Sequence, residues 1–574
     1  MDEPTGAETP PTLRSERSWL LRVALIAFLC YAPAFWWGAP RATDALRAQS
    51  WGVDDETPLG PLAEISNILH PQPDRNLGYP LLYPFLVVGA YTPYMGALYL
   101  TGGLSAPSGE YPFGLADPVR SLRVLSGIAH FVTVLLGVLC VTAAYWIGRM
   151  AWDRATGAWT AAVVVSLYPM FYYARTGNVD VPMLAFVALA VASYATGLRR
   201  GWSVRRAAWL GVWAGCALAT KEAAAGAFLL LPVVTLLGLR WAPAGRDGFS
   251  WRANASGLIA SLLALGVGSG LFIEPGRYLA HLRFIGERSR IAASGTGDWV
   301  IRTYAMDLES SLAYLSRQAG LLVDVLTLPG LLLAAAGILW VLARERDRWP
   351  LLLPLLGYAG YMFVGARVSQ LRYLLPTALL LAPFVARLAV LGWRASAPWA
   401  RIASVTAGLA VALGLSRGVD LTWSMLHDSR VEAGAWLAER TEVGDVVEHF
   451  GPFQKLPPLK AGVVSRQATT YLGILNPTDT TTATTRDVLA GWEERRPRFI
   501  LVVPDHTSQA TSGPHNISLP PSLYAALLEG GTDYALVRTF ETRSLLPWVR
   551  RPPLDYPTVS PPIRVFARKS APGP

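Results

Sequence analysis

The sequence predicts an all-α polytopic membrane domain of about 11 transmembrane helices, each needing about 20 mainly apolar residues, followed by a small α/β domain. Three observations predict it. The 574 residues are 52% hydrophobic and only 16% charged, whereas soluble domains carry about 25% charged residues. Long apolar runs recur from residue 19 to residue 416, and from about residue 428 the pattern changes to short alternating and helical segments. The 21 Trp and 22 Tyr suit aromatic belts at two membrane interfaces.

The chain opens on the polar "MDEPTGAETPPTLRSERS", expected to form a disordered cytoplasmic tail over residues 1–18. Arg14, Arg17 and Arg22 flank the first apolar run, 19–37, and no small-residue cleavage site follows it, so it reads as a signal anchor. Further span candidates lie at 121–147, 157–173, 180–197, 206–220, 223–240, 254–273, 320–342, 350–366, 373–393 and 401–416. The stretch 206–240 would reach roughly 50 Å as one helix at 1.5 Å per residue. With Lys221 and Glu222 at its middle, it reads as two helices meeting in a tight turn.

Charge placement orients this count. With the N-terminus inside, alternate loops carry Arg149 and Arg154, then Arg199, Arg200, Arg205 and Arg206, then Arg240, Arg246 and Arg252, then Arg344, Arg346 and Arg348, then Arg394 and Arg401. All of these are then cytoplasmic, as the positive-inside rule requires. The net charge of +10 is thus explained without nucleic acid, and no basic run interleaved with aromatics is present. The loops 38–120, 174–179, the Lys221 turn, 274–319 and 367–372 fall outside, as does the segment from about 420. The apolar run 79–100 would invert this parity if it spanned. Pro80, Pro84 and Pro93 interrupt it, so it reads as interfacial or re-entrant within a long first outer loop.

The C-terminal segment, 420–574, is expected to be a small extracytoplasmic α/β domain. "RVEAGAWLAERT" and "PSLYAALLE" have helical spacing, while "GDVVEHF", "RFILVVPD", "DYALVRTF" and "PIRVFARK" read as strands. It shows no nucleophile elbow, P-loop or Rossmann fingerprint. Cys30, Cys140 and Cys216 lie inside apolar runs, which leaves them as packing residues without a disulfide framework or metal motif. The sequence holds no extended His/Asp cluster either, so no cofactor is assigned and a divalent ion has no support in the residues.

Four polar features share the outer side. Asp54, Asp55 and Glu56 stand in "SWGVDDETPLG" early in the first outer loop. "YYARTGNVD" places Arg175, Asn178 and Asp180 between two spans; Lys221 tips the next hairpin; and "RVSQLRYLLP" puts Arg367, Arg372 and Tyr373 where a late span begins. Each also has a plain explanation. The acids suit a solvated turn, Asp180 suits a helix N-cap with Pro182 behind it, Lys221 and Glu222 suit an interfacial pair, and Arg372 suits an interfacial anchor. Together they fit a reaction between a membrane-embedded phosphate and an acceptor hydroxyl or amine. Cations hold phosphate, and a carboxylate can take the acceptor's proton.

On these residues the chain resembles the GT-C glycosyltransferases of the protein O-mannosyltransferase and aminoarabinose-transferase type, glycosyltransferase family 39. The resembling features, over roughly 19 to 416, are the Asp55-Glu56 pair, the Tyr-Pro-rich "GYPLLYPF", the Arg-containing "DPVRSLRVLSGIAHFVTVLLGV", Asp180 in "ARTGNVDVPMLAF", Lys221 in "ALATKEAAAGAF" and "RYLLP". The resemblance implies a GT-C-type membrane domain over 19–419. It implies a polyprenyl-phosphate-linked monosaccharide as donor and a lipid, glycan or protein as acceptor, with transfer at the outer face of a bacterial cytoplasmic membrane. It makes Asp55 the base, with Glu56 and Asp180 shaping the site and Lys221 and Arg372 holding the donor phosphate near Arg175 and Tyr373. Because the acidic run is Asp-Asp-Glu, Asp54 stands as an alternative base. A transporter or flippase of a lipid-linked substrate is the competing class, although no internal repeat between the halves accompanies it. A non-catalytic scaffold presenting the C-terminal domain is a third.

Overall fold

Strings of apolar residues punctuated by Asp and Ser caps set the architecture, and the computed structural model describes it for residues 13–52, 54–72, 75, 77–239, 250–293, 304–450, 456–467, 485–503, 521–554 and 559–569. The helices in chain order are α1 (Leu13–Tyr31), α2 (Leu59–Leu69), α3 (Leu82–Leu100), α4 (Pro118–Ala151), α5 (Arg154–Val165), α6 (Met170–Tyr173), α7 (Asp180–Arg200), α8 (Val204–Leu218), α9 (Ala225–Phe228) and α10 (Leu231–Leu236). There follow α11 (Trp251–Gly268), α12 (Pro275–Ala293), α13 (Leu308–Leu326), α14 (Leu328–Arg344), α15 (Leu352–Gly360), α16 (Leu375–Arg394), α17 (Ile402–Leu426), α18 (Ser429–Arg440), α19 (Thr485–Arg495) and α20 (Pro521–Glu529). Side-chain oxygens of Asp117, Asp153, Ser203, Ser250 and Asp307 accept the first free N–H groups of α4, α5, α8, α11 and α13.

By length and composition, five of the described helical stretches could cross a membrane, or six if one bent pair is a single span. The other expected spans fall on shorter or more polar helices. The apolar run 320–342 is not one straight helix. α13 and α14 meet at 107°, with Thr327 between them at φ +67°. The helix break expected at Lys221 is present, but its second limb is the broken series of a 3₁₀ turn, α9 and α10. The run 79–100 forms the single helix α3 despite its prolines. Pro84 lies in its first turn, where a missing N–H costs little, and only Pro93 is interior. α8 lies along α11 at backbone contact distance: a Cβ on Gly211 would stand 2.0 Å from the Gly257 carbonyl oxygen. Small residues allow such close helix approach.

The basic helix ends collect at one end of this bundle. Glu16 of α1 accepts from Arg149 and Arg154 at 3.1 and 3.0 Å. Arg199 donates to carbonyls of residues 149, 150 and 152, Arg394 pairs with Asp153 at 2.7 Å, and Arg387 pairs with Glu345 at 2.5 Å. α7 and α16 carry Asp180 and Arg372 at or beside their opposite ends.

Beyond α17, α18 leads into a five-stranded sheet of order β2-β1-β3-β5-β4. Its strands are β1 (Val446–Phe450), β2 (Val464–Gln467), β3 (Phe499–Val502), β4 (Tyr534–Phe540) and β5 (Ile563–Arg568). β1 runs parallel to β2 and β3, and β5 runs antiparallel to β3 and β4. Both faces of β3 are covered. Phe499 and Leu501 pack with Leu437 of α18, while Ile500 and Val502 pack with Trp492 of α19 and Leu523 of α20. A strand buried on both faces reads as an unbroken apolar run, which is why "FILV" was legible. β2 and α19 were not read from the sequence.

Candidate active site

The acidic turn separates its two aspartates by backbone geometry. Asp54 takes a left-handed conformation, φ +59°, which Asp tolerates better than most residues. Its side chain is 33% exposed, whereas that of Asp55 is wholly buried. Asp55 Oδ1 accepts from the Thr57 hydroxyl at 2.6 Å and the Thr57 N–H at 3.1 Å, and Oδ2 lies 2.9 Å from His130 Nε2 of α4. The Gly177 N–H also reaches this carboxyl. Burial pushes Asp55 up, but the charge and hydrogen bond of His130, the Thr57 hydroxyl and the Gly177 N–H outweigh it and hold the group below its ordinary carboxylate range. Ser50 braces the same turn, donating to the Thr57 carbonyl at 2.8 Å and lying 3.0 Å from Ser126.

Asp54 is ion-paired with Arg372. That arginine also donates to Gln370 Oε1 at 3.0 Å, which fixes the plane of its guanidinium. Beside it, Lys221 donates to Asp180 Oδ1 at 2.7 Å, with both side chains 1% exposed. Burial pulls the Lys221 ammonium down, but the Asp180 charge next to it dominates and raises it well above its ordinary value. The ammonium lies 4.5 Å from the ring centre of Tyr373 and 5.5 Å from that of Tyr79, within cation–π range. Asp180 Oδ2 is buried and makes no hydrogen bond among the described residues. Asp180 does not cap its helix with its own side chain. Asn178 Oδ1 accepts the Asp180 N–H at 2.9 Å, and this leaves the Asp180 carboxylate for Lys221.

The structure thus brings together Asp54, Asp180, Lys221, Arg372 and Tyr373. Glu56 is exposed and lines one narrow cleft with Asp54, Glu64, Tyr79, Tyr83 and Gly177. Glu222 does not join Lys221; its carboxylate lies 3.7 Å from His281. Arg175 is elsewhere. Its guanidinium is fully buried and donates to the Tyr31 and Cys30 carbonyls at 2.9 and 2.5 Å and to Thr422 at 2.7 Å. That cation ties the turn before α7 to the ends of α1 and α17, because a fully buried guanidinium must spend its donors on nearby carbonyls.

Sequence reading missed His130, Tyr79, Gly177 and the buried ion pair of Glu64 with Arg277 at 2.7 Å. His130 had a signal. It is the lone ionisable residue between Arg123 and Arg149 apart from Cys140 and Tyr145, and an ionisable group inside an apolar span is a functional candidate. Among the described residues no group of three or more His, Cys, Asp or Glu side chains gathers so as to hold a metal ion.

No curated protein matches the sequence. Among solved structures the chain is similar to ArnT from Cupriavidus metallidurans bound to undecaprenyl phosphate, at 12% identity over 96% of this chain and 98% of that one, with TM-score 0.47. It is similar also to the archaeal oligosaccharyltransferase AglB from Archaeoglobus fulgidus in complex with an inhibitory peptide and a dolichol-phosphate (11% identity, 96% and 89% covered, TM-score 0.45). A third is the arabinofuranosyltransferase AftD from Mycobacteria (14% identity, 97% and 40% covered, TM-score 0.34). Residues 90–270 match the family described as dolichyl-phosphate-mannose-protein mannosyltransferase, a stretch that contains Asp180 and Lys221 and begins after the acidic turn. The chain therefore resembles, over that stretch, the GT-C glycosyltransferases of the protein O-mannosyltransferase type.

Proposed function

We propose that this chain moves a monosaccharide from a polyprenyl-phosphate-linked donor to an envelope lipid, glycan or protein acceptor at the outer face of a bacterial cytoplasmic membrane. The observation that carries the reading is the meeting of two ion pairs, Asp54–Arg372 and Asp180–Lys221, beside Tyr79 and Tyr373, from stretches up to 318 residues apart. The donor class follows the description of the matched family. The sidedness follows the basic helix ends, which gather at the opposite end of the bundle and belong inside by the positive-inside rule. The start of the chain is then cytoplasmic, although residues 13–18 of the expected tail already belong to α1. The C-terminal domain is extracytoplasmic, beginning beyond the end of α17 at Leu426 and not at 420.

In this reading Asp54 is the base, because it alone of the two aspartates is accessible. Arg372 and Lys221 hold the donor phosphate, Asp180 fixes Lys221, Tyr373 and Tyr79 wall the phosphate site, and Glu56 stands at its rim. When the phosphate arrives Arg372 turns toward it, and Asp54 is released from its ion pair. The acceptor O–H or N–H gives its proton to Asp54 as its heteroatom bonds to the anomeric carbon. The bond from that carbon to the phosphate oxygen breaks, and the lipid phosphate leaves with the electron pair. The leaving group gains negative charge, so fixed cations help it more than a proton donor would.

The test is transfer from dolichyl-phosphate mannose by the purified protein in liposomes supplied with an envelope extract as acceptor. Asp54→Asn should lower turnover by 10²- to 10⁴-fold, the usual contribution of general-base catalysis, while keeping its melting temperature in detergent. Wild-type turnover in Asp54→Asn would sink the base assignment. Movement of lipid-linked sugar across the bilayer without any glycosylated product would favour a flippase instead.

A further inference from the structure

We infer that Asp55 and His130 form a buried pair that holds one proton between them and serves to position Asp54, so that both are positioning residues and neither reacts. The inference rests on the reading of Asp54 as the base.

Hydrogen-bond accounting carries it. His130 Nδ1 lies 2.9 Å from the Phe35 carbonyl oxygen, and a carbonyl only accepts, so Nδ1 bears a proton. The other ring nitrogen, Nε2, lies 2.9 Å from Asp55 Oδ2 with both side chains at 0% exposure. The Thr57 and Ser126 hydroxyls stand farther off, at 3.3 and 3.4 Å, and the Thr57 hydroxyl already donates to Oδ1. A neutral imidazole already protonated at Nδ1 would point a lone pair at a carboxylate oxygen, which repels. One proton must therefore sit in that contact, on Nε2 or on Oδ2. With either location the contact is an N–H to O or O–H to N hydrogen bond, and water has no access to it.

The other bonds of Asp55 close its own turn, and the Gly177 N–H ties that turn to the one before α7. Oδ1 takes the Thr57 hydroxyl and N–H, at 2.6 and 3.1 Å. The Asp55 N–H donates to the Gly52 carbonyl at 3.3 Å, and Trp51 N–H to the Gly38 carbonyl at 2.9 Å. Asp54 stands one residue before this anchor in a left-handed backbone conformation, φ +59°. Such a conformation in a residue with a Cβ persists when its surroundings over-determine it. The pair is that surrounding constraint on the C-terminal side, and it explains why two adjacent acids can have opposite exposure.

Asparagine keeps the shape of the carboxyl and supplies an amide N–H in place of the shared proton, whichever atom carries it. In Asp55→Asn the amide N–H donates to Nε2 of the neutral ring, and the amide oxygen keeps the Thr57 hydroxyl and N–H. His130→Ala instead leaves a buried carboxylate facing a void. The experiment is hydrogen–deuterium exchange of the peptide covering residues 50–60 in the full-length protein in detergent, with turnover of dolichyl-phosphate mannose as a second measurement. Exchange should stay within about threefold of wild type in Asp55→Asn and rise about tenfold or more in His130→Ala, since an unpaired buried charge is strongly disfavoured. The double variant His130→Ala/Asp55→Asn should recover toward wild type, because the charge is gone. In turnover, His130→Ala should lose about 100-fold in kcat with donor KM nearly constant, the cost of misplacing a reacting group by about 1 Å, and the double variant should regain about tenfold.

If Asp55→Asn opens the loop as far as His130→Ala does, or His130→Ala leaves exchange unchanged, the pair has no positioning role. A closed loop in a folded Asp55→Asn variant that has lost turnover as completely as Asp54→Asn would place Asp55 among the reacting groups and overturn the inference. If His130→Ala does not yield folded protein, Asp55→Asn against Asp55→Leu decides, and equal exchange in those two counts against the pair. Full turnover in Asp54→Asn with the expected exchange pattern would remove the base reading and leave the pair standing.

Discussion

At Gly177 the site leaves no room for a side chain. A Cβ there would stand 2.4 Å from Asp55 Oδ1, 2.3 Å from Thr57 Cγ2 and 3.0 Å from its hydroxyl, so only glycine lets the 174–179 turn bring its N–H to the buried carboxyl. Gly177→Ala should therefore displace the acidic turn. Overpacking of this kind costs about 1–3 kcal/mol, and transfer should fall by at least tenfold, read by thermal unfolding in detergent and turnover together. An alanine variant with wild-type turnover would show that the contact between the two turns is not needed. The same contact explains what the residues could and could not tell in advance. The acids themselves, Asp180, Lys221 and Arg372 were all legible as polar residues at the edges of apolar runs. Which aspartate faces the cleft was not, because it depends on one positive φ at Asp54 and on the distant His130. The likeness to the family's Asp-Glu pair points to Asp55 as base, whereas in the proposed reading Asp54 takes that part because it is the more exposed of the two.

Helix junctions place the cations, and the break between α8 and α9 is the clearest. α8 ends at Leu218, Lys221 takes an extended backbone, and a 3₁₀ turn begins at Glu222, which swings the ammonium against the start of α7. Once Lys221 and Asp180 are buried together, removing one partner strands the other's charge. Lys221→Met should cost about 3–5 kcal/mol as well as most of the transfer activity. Adding Asp180→Asn should recover most of the stability but none of the activity, since in the proposed reading the donor phosphate would still lack one of its two cations. Thermal unfolding and turnover of the two variants separate these effects, and no recovery of stability in the double variant would mean that the pair is not what holds the junction. Apolar length announced this junction, because a run of 206–240 is too long for one helix. Length was a poorer guide elsewhere. The 107° bend at Thr327 falls inside an apolar run, where Thr327 caps α14 and Pro329 stands in its first turn, a helix start that apolar length alone does not show. α3 stays helical through Pro93, since a single interior proline removes one hydrogen bond without ending a helix that neighbours support. In the sheet the strands with unbroken or alternating apolar character were readable, while β2 ("VSRQ") and α19 ("TRDVLAGWEER") carry polar patterns that say little about burial.

Across the whole molecule, the C-terminal α/β segment is joined to the acidic turn by a buried cation. Arg430, at the start of α18, is 0% exposed and pairs with Asp428 through two nitrogens at 2.8 and 2.7 Å. Its guanidinium lies 3.9 Å from the ring centre of Trp51, three residues before Asp54, and Trp37 donates its indole N–H to Asp428 at 2.9 Å. Asp428 also accepts from the Ser560 N–H at 2.8 Å, so the loop before β5 is fastened to the same point. The sheet is thereby coupled to the loop that carries the proposed base, through charge-assisted bonds rather than through apolar packing alone. Arg430→Ala leaves Asp428 buried with one cation fewer and removes the stacking surface under Trp51. It should lower stability by about 3–5 kcal/mol and slow transfer several-fold with little change in donor KM, since Lys221 and Arg372 are untouched. Arg440→Ala is the matched control. Arg440 lies at the other end of the same helix, 43% exposed, against Trp436, and surface substitutions of this kind stay within about 0.5 kcal/mol. Thermal unfolding and steady-state transfer on the three proteins decide the matter. If Arg430→Ala loses stability but keeps wild-type kcat, the C-terminal segment stabilises the molecule without setting the geometry of the acidic turn, and coupling between sheet and site is ruled out.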